Sequence, residues 1–417
     1  MSHFFWPTPF QNIKNINKHA VLDLIRFTPG GISRAELALR MDLSRAAMTA
    51  IVNDLLEVGI VRETESRSGQ SGRPPIILEI NPARGRVIGI DMGATHLTVA
   101  LADFSARIID EIEIPFDVTQ GPIPCLAQAE ALLTELLEKN DMRLEQVLAI
   151  GMGVPGPIVN QAGMVIAPPI MPGWDSYPIR LEMESKWNIP VSLNNDAELG
   201  MLGEWAYGAG RGEEHLAYIK VGSGIGAGLL LNGQVYQGST GSAGEIGHLT
   251  IEENGPLCDC GSTGCLEALA GGKAIARQAQ EVVAKGKGTL LAGMGPPEEL
   301  TARDVAAAAR RGDLPSQEII ARAGSYLGIA IAGMVNLFNP RVVVIGGGVS
   351  QIGDLLLQPI RDTVRRRSLA GAAQAVKINT AILRRRSSIM GAVVQALSTA
   401  LHQIADKKEI PAANIKG

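Results

Sequence analysis

Val87-Ile-Gly-Ile-Asp-Met-Gly-Ala-Thr-His-Leu-Thr-Val-Ala-Leu-Ala102 reads as a strand, a tight turn and a second strand, and the turn carries Asp91, Gly93 and Thr95. The same plan returns at Leu216-Ala-Tyr-Ile-Lys-Val-Gly-Ser-Gly-Ile-Gly-Ala-Gly-Leu-Leu-Leu231, where the turn carries Gly222, Ser223, Gly224 and Gly226. We read the pair as an internal duplication of a β-hairpin. Successive backbone N–H groups in such a turn can face a phosphate. A third glycine-rich turn closes the buried strand Val342-Val-Val-Ile-Gly-Gly-Gly-Val349. One such turn carries little weight, because glycine also serves ordinary tight turns. Three in this order, two of them matching, are considerably stronger.

Hairpins that face each other, each followed by helices, are the plan of the two-lobed α/β actin-like, or ribonuclease-H-like, sugar kinases, in which nucleotide binds between the lobes. The first lobe is expected over residues 86–205, completed by a C-terminal helix at about 387–404 that crosses back to it. The second is expected over 206–386. Gly151-Met-Gly-Val-Pro-Gly-Pro157 is a stiff loop after a strand, able to bring backbone close to a small ligand. Val191-Ser-Leu-Asn-Asn-Asp-Ala-Glu-Leu-Gly200 is a strand ending at Asn195 and Asp196, then a helix. Asp196 has two readings. It can cap the helix, or it can be a general base that takes a proton from a sugar hydroxyl attacking a phosphoryl group. In the second case Asn195 would hold neighbouring hydroxyls.

Residues 245–267 hold Cys258-x-Cys260-x4-Cys265, with His248 ten residues ahead of the first cysteine. Three thiolates and one imidazole complete a tetrahedral zinc shell of the closed, structural kind. The expected role of the metal is to fix a loop, and with it Glu245 and Glu267 at its ends. The alternative is a disulfide plus a spare thiol, but Cys-x-Cys closes a poor ring and cytosolic chains rarely keep disulfides. Cys125 stands apart and reads as a surface feature, as do the arginine runs at 365–367 and 384–386.

The N-terminal segment has another character. Residues 17–27 read as a helix with Val21, Leu24 and Ile25 on one face. Ser33-Arg-Ala-Glu36 is a capping box, with Glu36 expected to reach back to the cap. Ser44 caps a third helix whose expected buried stripe is Ala47, Ile51 and Leu55, leaving Arg45, Ala46, Met48, Thr49 and Asn53 outside. Strands at 60–65 and 75–80 flank a Gly/Ser-rich loop with Arg67 and Arg73. This is the order of a winged helix-turn-helix DNA-binding domain, expected over residues 1–85. The start of its second motif helix, at Ser44, Arg45, Ala46 and Thr49, would meet base edges in the major groove of a double-stranded DNA operator. Arg67 and Arg73 would hold phosphate or enter the minor groove. Residues 1–86 hold 11 Lys and Arg against 8 Asp and Glu, whereas the whole chain carries −4. A basic head on an acidic body suits such a module.

With 417 residues, 46% of them apolar and 19% charged, the chain is globular and long enough for two or three domains. The first residues lack the pattern of a signal peptide, and no uninterrupted apolar run approaches the length of a membrane span. A cytoplasmic location is expected.

The combination resembles the ROK family of repressors, open reading frames and sugar kinases, over essentially the whole chain from about residue 12. Asp91-x-Gly93-x-Thr95, Gly153-Val-Pro-Gly-Pro157, Asn194-Asn-Asp-Ala197, Gly222-Ser-Gly-Ile-Gly226 and Glu245-Ile-Gly-His248 leading into Cys-x-Cys-Gly-x-x-Gly-Cys-x-Glu267 carry the resemblance. It implies a sugar pocket lined by Asn195, Asp196, Glu245, His248 and Glu267, with Asp196 at the catalytic-base position. It implies that Asp91, Gly93, Thr95, Gly222, Ser223, Gly224 and Gly226 face nucleotide phosphates. It also implies that a member with a DNA-binding head is a sugar- or sugar-phosphate-responsive transcription regulator and a homodimer or homotetramer. An active hexose kinase using ATP and Mg²⁺ is the alternative. The departures are Ala94 and His96, where kinases of the family carry Gly and then Lys or Asn, Ser223 in place of Thr, and Pro169-Ile170-Met171 before Trp174.

Overall fold

Ser33 and Ser44 begin two of the first three helices, and each does so with its own hydroxyl. The computed structural model describes residues 13–65, 76–159, 162–286 and 288–406. Helix α1 is Ile13–Phe27, α2 is Arg34–Met41 and α3 is Arg45–Glu57. The Ser33 and Ser44 hydroxyl oxygens each accept a backbone N–H three residues on, at 3.2 Å. The return half of the capping box is not made, because the Glu36 carboxylate turns outward to Arg40 at 2.6 Å. The buried stripe of α3 is Met48, Ile51, Val52 and Leu55, with Ala47 exposed. Ile51 and Leu55 are buried as expected, but Met48, expected outside, takes the place of Ala47, and Val52 widens the stripe. The i, i+3, i+4, i+7 spacing that starts at Met48 buries four large side chains, whereas the frame that starts at Ala47 would leave Met48 and Val52 in water. Arg45, Ala46, Thr49 and Asn53 do face outward. Strands β1 (Val61–Glu65) and β2 (Ile76–Ile80) pair antiparallel. Arg67 and Arg73 lie outside the described residues.

The first large sheet contains β3 (Arg86–Met92), β4 (His96–Asp103), β5 (Ile108–Pro115), β6 (Val147–Val154) and, after the short ladder of β7 (Ile158–Val159) and β8 (Met164–Val165), β9 (Val191–Asn195). Its order is β5-β4-β3-β6-β9. The second contains β10 (Leu216–Val221), β11 (Ile225–Leu231), β12 (Gln234–Val235), β13 (Val342–Gly346) and β14 (Lys377–Thr380), in the order β12-β11-β10-β13-β14. In each sheet an antiparallel hairpin is extended on one side by two parallel strands. The duplication read from the two hairpins therefore covers whole sheets.

Helices α4 (Pro122–Lys139) and α5 (Ile179–Trp187) cover the first sheet. Cys125 is buried in α4, not on the surface. Its thiol donates to the Asp117 carbonyl at 3.5 Å, and burial pushes its pKa up to about 11. Both arginine runs are exposed, as expected.

Helix α6 (Asp196–Tyr207) is buried from Ala197 to Ala206. The second sheet is covered by α7 (Leu266–Ala270), α8 (Gly272–Ala284), α9 (Ala302–Arg310), α10 (Leu314–Phe338), α11 (Asp354–Arg367) and α12 (Ala370–Ala375). Helix α10 has the length and apolarity of a membrane span, but it packs into the second lobe's core through Ile319, Ile320, Leu327 and Ile331.

Helix α13 (Ser387–Asp406) crosses back to the first lobe and lies along α6. A Cβ on Gly391 would stand 1.8 Å from the Leu199 carbonyl oxygen, so glycine is what lets these helices touch. The fully buried Glu204 pins them together, accepting from Ile382 N–H, Leu383 N–H and the Ser387 hydroxyl at 2.8–3.1 Å. Farther along α13, Leu397, Leu401 and Ile404 share one apolar core with Val21, Leu22 and Ile25 of α1.

Candidate ligand cleft

The helix α6 is capped by Asn195. Its Oδ1 accepts the N–H groups of Ala197 and Glu198 at 2.8 and 3.3 Å. Asp196 is thus the first helical residue and not the cap, so the capping alternative for Asp196 does not hold. The Asn195 amide also donates to the Gly156 carbonyl at 2.9 Å, tying the Gly-Pro loop to the helix start. That leaves Asn195 one N–H for any ligand.

The Asp196 carboxylate accepts from the Lys220 ammonium at 2.9 Å, with both side chains about one-sixth exposed (15% and 16%). Lys220 also donates to the Ser388 hydroxyl at 3.3 Å, and Ser388 donates to the Asp196 carbonyl at 2.8 Å. Burial alone would push the Lys220 pKa down, but Asp196 and Asp91 outweigh it and the pKa is raised. Lys220 sits in the strand that leads into the second glycine turn. Sequence reading passed over it because it stands mid-strand between apolar residues.

Asp91 ends β3 and is 2% exposed. Its burial opposes ionisation, but Lys220 and His96 together hold its pKa below the usual carboxylate value. One carboxylate oxygen pairs with His96 Nε2 at 3.3 Å, while Oδ1 has no hydrogen-bond partner among the described residues. The His96 ring lies over Gly93, where a Cβ would come within 2.2 Å of it. The first candidate phosphate turn is therefore covered by this imidazole, with Thr95 exposed beside it. In the second turn the Gly222 and Ser223 carbonyls accept N–H groups from the start of α8, at 2.8 and 3.3 Å. Gly224 and Gly226 are half-buried.

Glu267, in the first turn of α7, accepts the Ile225 N–H at 2.8 Å, so the cysteine loop and the second glycine turn are joined. Glu245 and Glu267 come near Asp196. Burial raises the Glu245 pKa, the nearby His248 opposes this, and Asp196 and Glu267 add to it. Glu198, in the first turn of α6, is a further acid that sequence reading missed. Burial pushes its pKa up to about 7, against a hydrogen bond from Gln237 at 3.0 Å.

His248, Cys258, Cys260 and Cys265 bring their ligand atoms within 4.8 Å of one another, a group that could hold a metal ion. Cys258 Sγ to His248 Nδ1 and Cys260 Sγ to Cys265 Sγ are both 3.7 Å. Metal–sulfur bonds of about 2.3 Å in a tetrahedron give edges of about 3.8 Å, so the donor set fits. The three cysteines are free thiols, which removes the disulfide alternative. His248 Nε2 faces Glu245 at 3.9 Å, so the ring has one nitrogen toward the thiols and one toward the cleft acids.

Residues 87–399 match the profile of the ROK family. A putative xylose repressor from Caldicellulosiruptor sp. (strain Rt8B.4) is 33% identical over 389 residues, covering 93% of this chain and 97% of that protein. A glucokinase from Halalkalibacterium halodurans is 35% identical over 306 residues, covering 73% of this chain and 92% of its own. Among solved structures, a ROK family transcriptional regulator described as a homolog of E. coli MLC protein superposes with a TM-score of 0.80 at 29% identity, covering 94% of this chain and 98% of that one.

Proposed function

The chain belongs to the ROK family, and on that premise we propose that it is a sugar-responsive transcription regulator, acting as a repressor of carbohydrate genes. The carrying observation is the reach of the similarity. The repressor match takes in 93% of the chain, while the glucokinase match takes in 73%, about the length of the body without its head. Residues 13–65 and 76–80 contribute three helices and a two-stranded sheet, an order that supports a winged helix, and α3 turns Arg45, Ala46 and Thr49 outward. In this reading residues 1–85 are the DNA-binding domain. Ser44, Arg45, Ala46 and Thr49 enter the major groove of an operator, and Arg67 and Arg73 contact its backbone. The effector, a sugar or sugar phosphate, binds among Asn195, Asp196, Glu245, His248 and Glu267, and a homodimer or homotetramer sets the spacing of the heads.

Zinc is the metal best suited to one imidazole and three thiolates. His248, Cys258, Cys260 and Cys265 would hold it in a closed shell, where it supplies rigidity to the cleft wall.

A hexose-kinase reading would use Asp196 as base and Asp91 with the two glycine turns for Mg²⁺ and ATP. His96 across Gly93 and Lys220 on Asp196 both stand against it. A base already bonded to an ammonium has lost part of its drive to take a proton.

The test is binding to the DNA upstream of the protein's own gene. Affinity should fall linearly with salt on a log–log plot, with slope about −0.9 per phosphate contact. Arg45→Ala should lose about 1–3 kcal/mol and relax base preference at one position. Unaltered affinity and preference in Arg45→Ala protein would reject α3 as the reading helix.

A further inference from the structure

The first turn of α13 reaches the cleft, and its far end reaches the head. Ser388, its second residue, bonds both Lys220 and the Asp196 carbonyl. Ten residues on, Ser398 accepts from Arg26 of α1 at 2.6 Å, and the Val394 carbonyl accepts from the same guanidinium at 2.7 Å. Lys18 of α1 donates to the Ala405 carbonyl at 3.2 Å. One rigid helix thus touches a cleft acid at one end and the head at the other.

The cleft end has a spare acceptor. Lys220 bonds Asp196 directly, and Asp91 is close enough to act on its charge without a direct bond. Oδ1 of Asp91 is buried without a hydrogen-bond partner among the described residues. The two acids flank Gly153, whose Cβ, if built, would lie 3.7 Å from Asp91 Oδ1 and 3.8 Å from the Asp196 Cα. A lysine ammonium has three donors on a flexible stem, so rotation about its side-chain bonds can redirect it from one acid toward the other.

We propose that Lys220 is a positioning residue with two places, on Asp196 or on Asp91 Oδ1, and that its choice passes cleft occupancy through Ser388 to α13 and so to the DNA-reading head. A sugar hydroxyl that donates to Asp196 Oδ2 takes the oxygen that Lys220 uses. The ammonium then moves to Asp91, its bond to Ser388 breaks, and the first turn of α13 shifts against α6. Only a ligand that treats the two arrangements differently can move the equilibrium. Competition for one carboxylate supplies that difference. This inference rests on the regulator reading above.

The experiment uses the full chain with D-xylose and D-glucose as probes. Sugar binding is followed by calorimetry, and binding to the upstream DNA by fluorescence anisotropy with and without sugar. In the wild type the sugar should change DNA affinity about 5–150-fold, the usual span of coupling between two sites. In Lys220→Met and in Ser388→Ala protein, sugar titrations should stay saturable while the sugar-linked change falls below about twofold, and Lys220→Arg should recover part of it. Full coupling in both Lys220→Met and Ser388→Ala would overturn the proposal. So would coupling lost only in proportion to lost sugar affinity. Ser388→Ala removes a single hydroxyl and covers the case in which Lys220→Met fails to fold. A wild-type protein that binds the DNA and ignores both sugars would instead defeat the regulator reading, and this inference with it.

Discussion

Glu198 stands in the first turn of α6 with 3% of its surface exposed, beside the acids of the cleft. Burial holds its proton up to about pH 7, while an unfolded glutamate releases it near 4.5. Between those values the folded chain keeps a proton that the unfolded chain has lost. The contribution of Glu198 to stability therefore declines as pH rises from about 4.5 to about 7 and then levels off. The shift corresponds to about 3 kcal/mol. Glu198→Gln keeps an oxygen for the Gln237 donor and removes the charge. Thermal melts across pH 4.5 to 8 should show a flatter profile for the variant and a midpoint a few degrees higher at pH 8. Equal slopes in the two proteins would mean that Glu198 is solvated and that the cleft around it is open.

The loop of residues 245–267 joins the cleft to a group of side chains that could hold a metal ion. His248 has one nitrogen toward Cys258 and the other toward Glu245, and Glu267 holds the second glycine turn by the Ile225 N–H. Cys260→Ser should lower bound zinc from about one per chain, as a single closed site predicts, and weaken sugar binding about 10- to 100-fold, the usual cost of disturbing what orients a ligand. Metal analysis with calorimetry on the same preparation checks both. A variant with full zinc and full sugar affinity would sever the loop from the cleft. This element was legible in the sequence because cysteine spacing alone defines it, and the two sheets were legible because the glycine turns repeat. At the start of α3 the sequence does not distinguish Ala47 from Met48, since both fit an apolar stripe with Ile51 and Leu55, and only the packed core of the head selects the longer side chain. Cys125 has no other cysteine or histidine near it in the sequence to mark its surroundings, and its burial follows from the apolar face it shares with Ala129, Leu132 and Leu136 of α4. The Lys220–Asp196 bond and the Glu204 pin join residues 24 and about 180 positions apart, a separation no local pattern records.

The molecule is knitted lengthwise. Val21, Leu22 and Ile25 of the head lie in the same core as Leu397, Leu401 and Ile404 of α13, and Ile389 and Val393 continue that core into the first lobe beside Val87 and Ala149. Phe27 adds an edge contact to Trp205 of α6, with ring centres 4.5 Å apart. A head fixed in this way cannot swing on a loose tether, so a signal from the cleft has to travel as a small displacement of packed helices. It also follows that head and body should unfold together. Calorimetry of the full chain should give one transition. A chain beginning at residue 86 would uncover the α13 side of that core at about 1.5–3 kcal/mol for each large aliphatic side chain exposed, so its midpoint should drop by several degrees. A head that melts separately, with the truncated body holding the full-length midpoint, would mean that the shared core contributes little. Displacement of α13 could then not be what orients α3 on DNA.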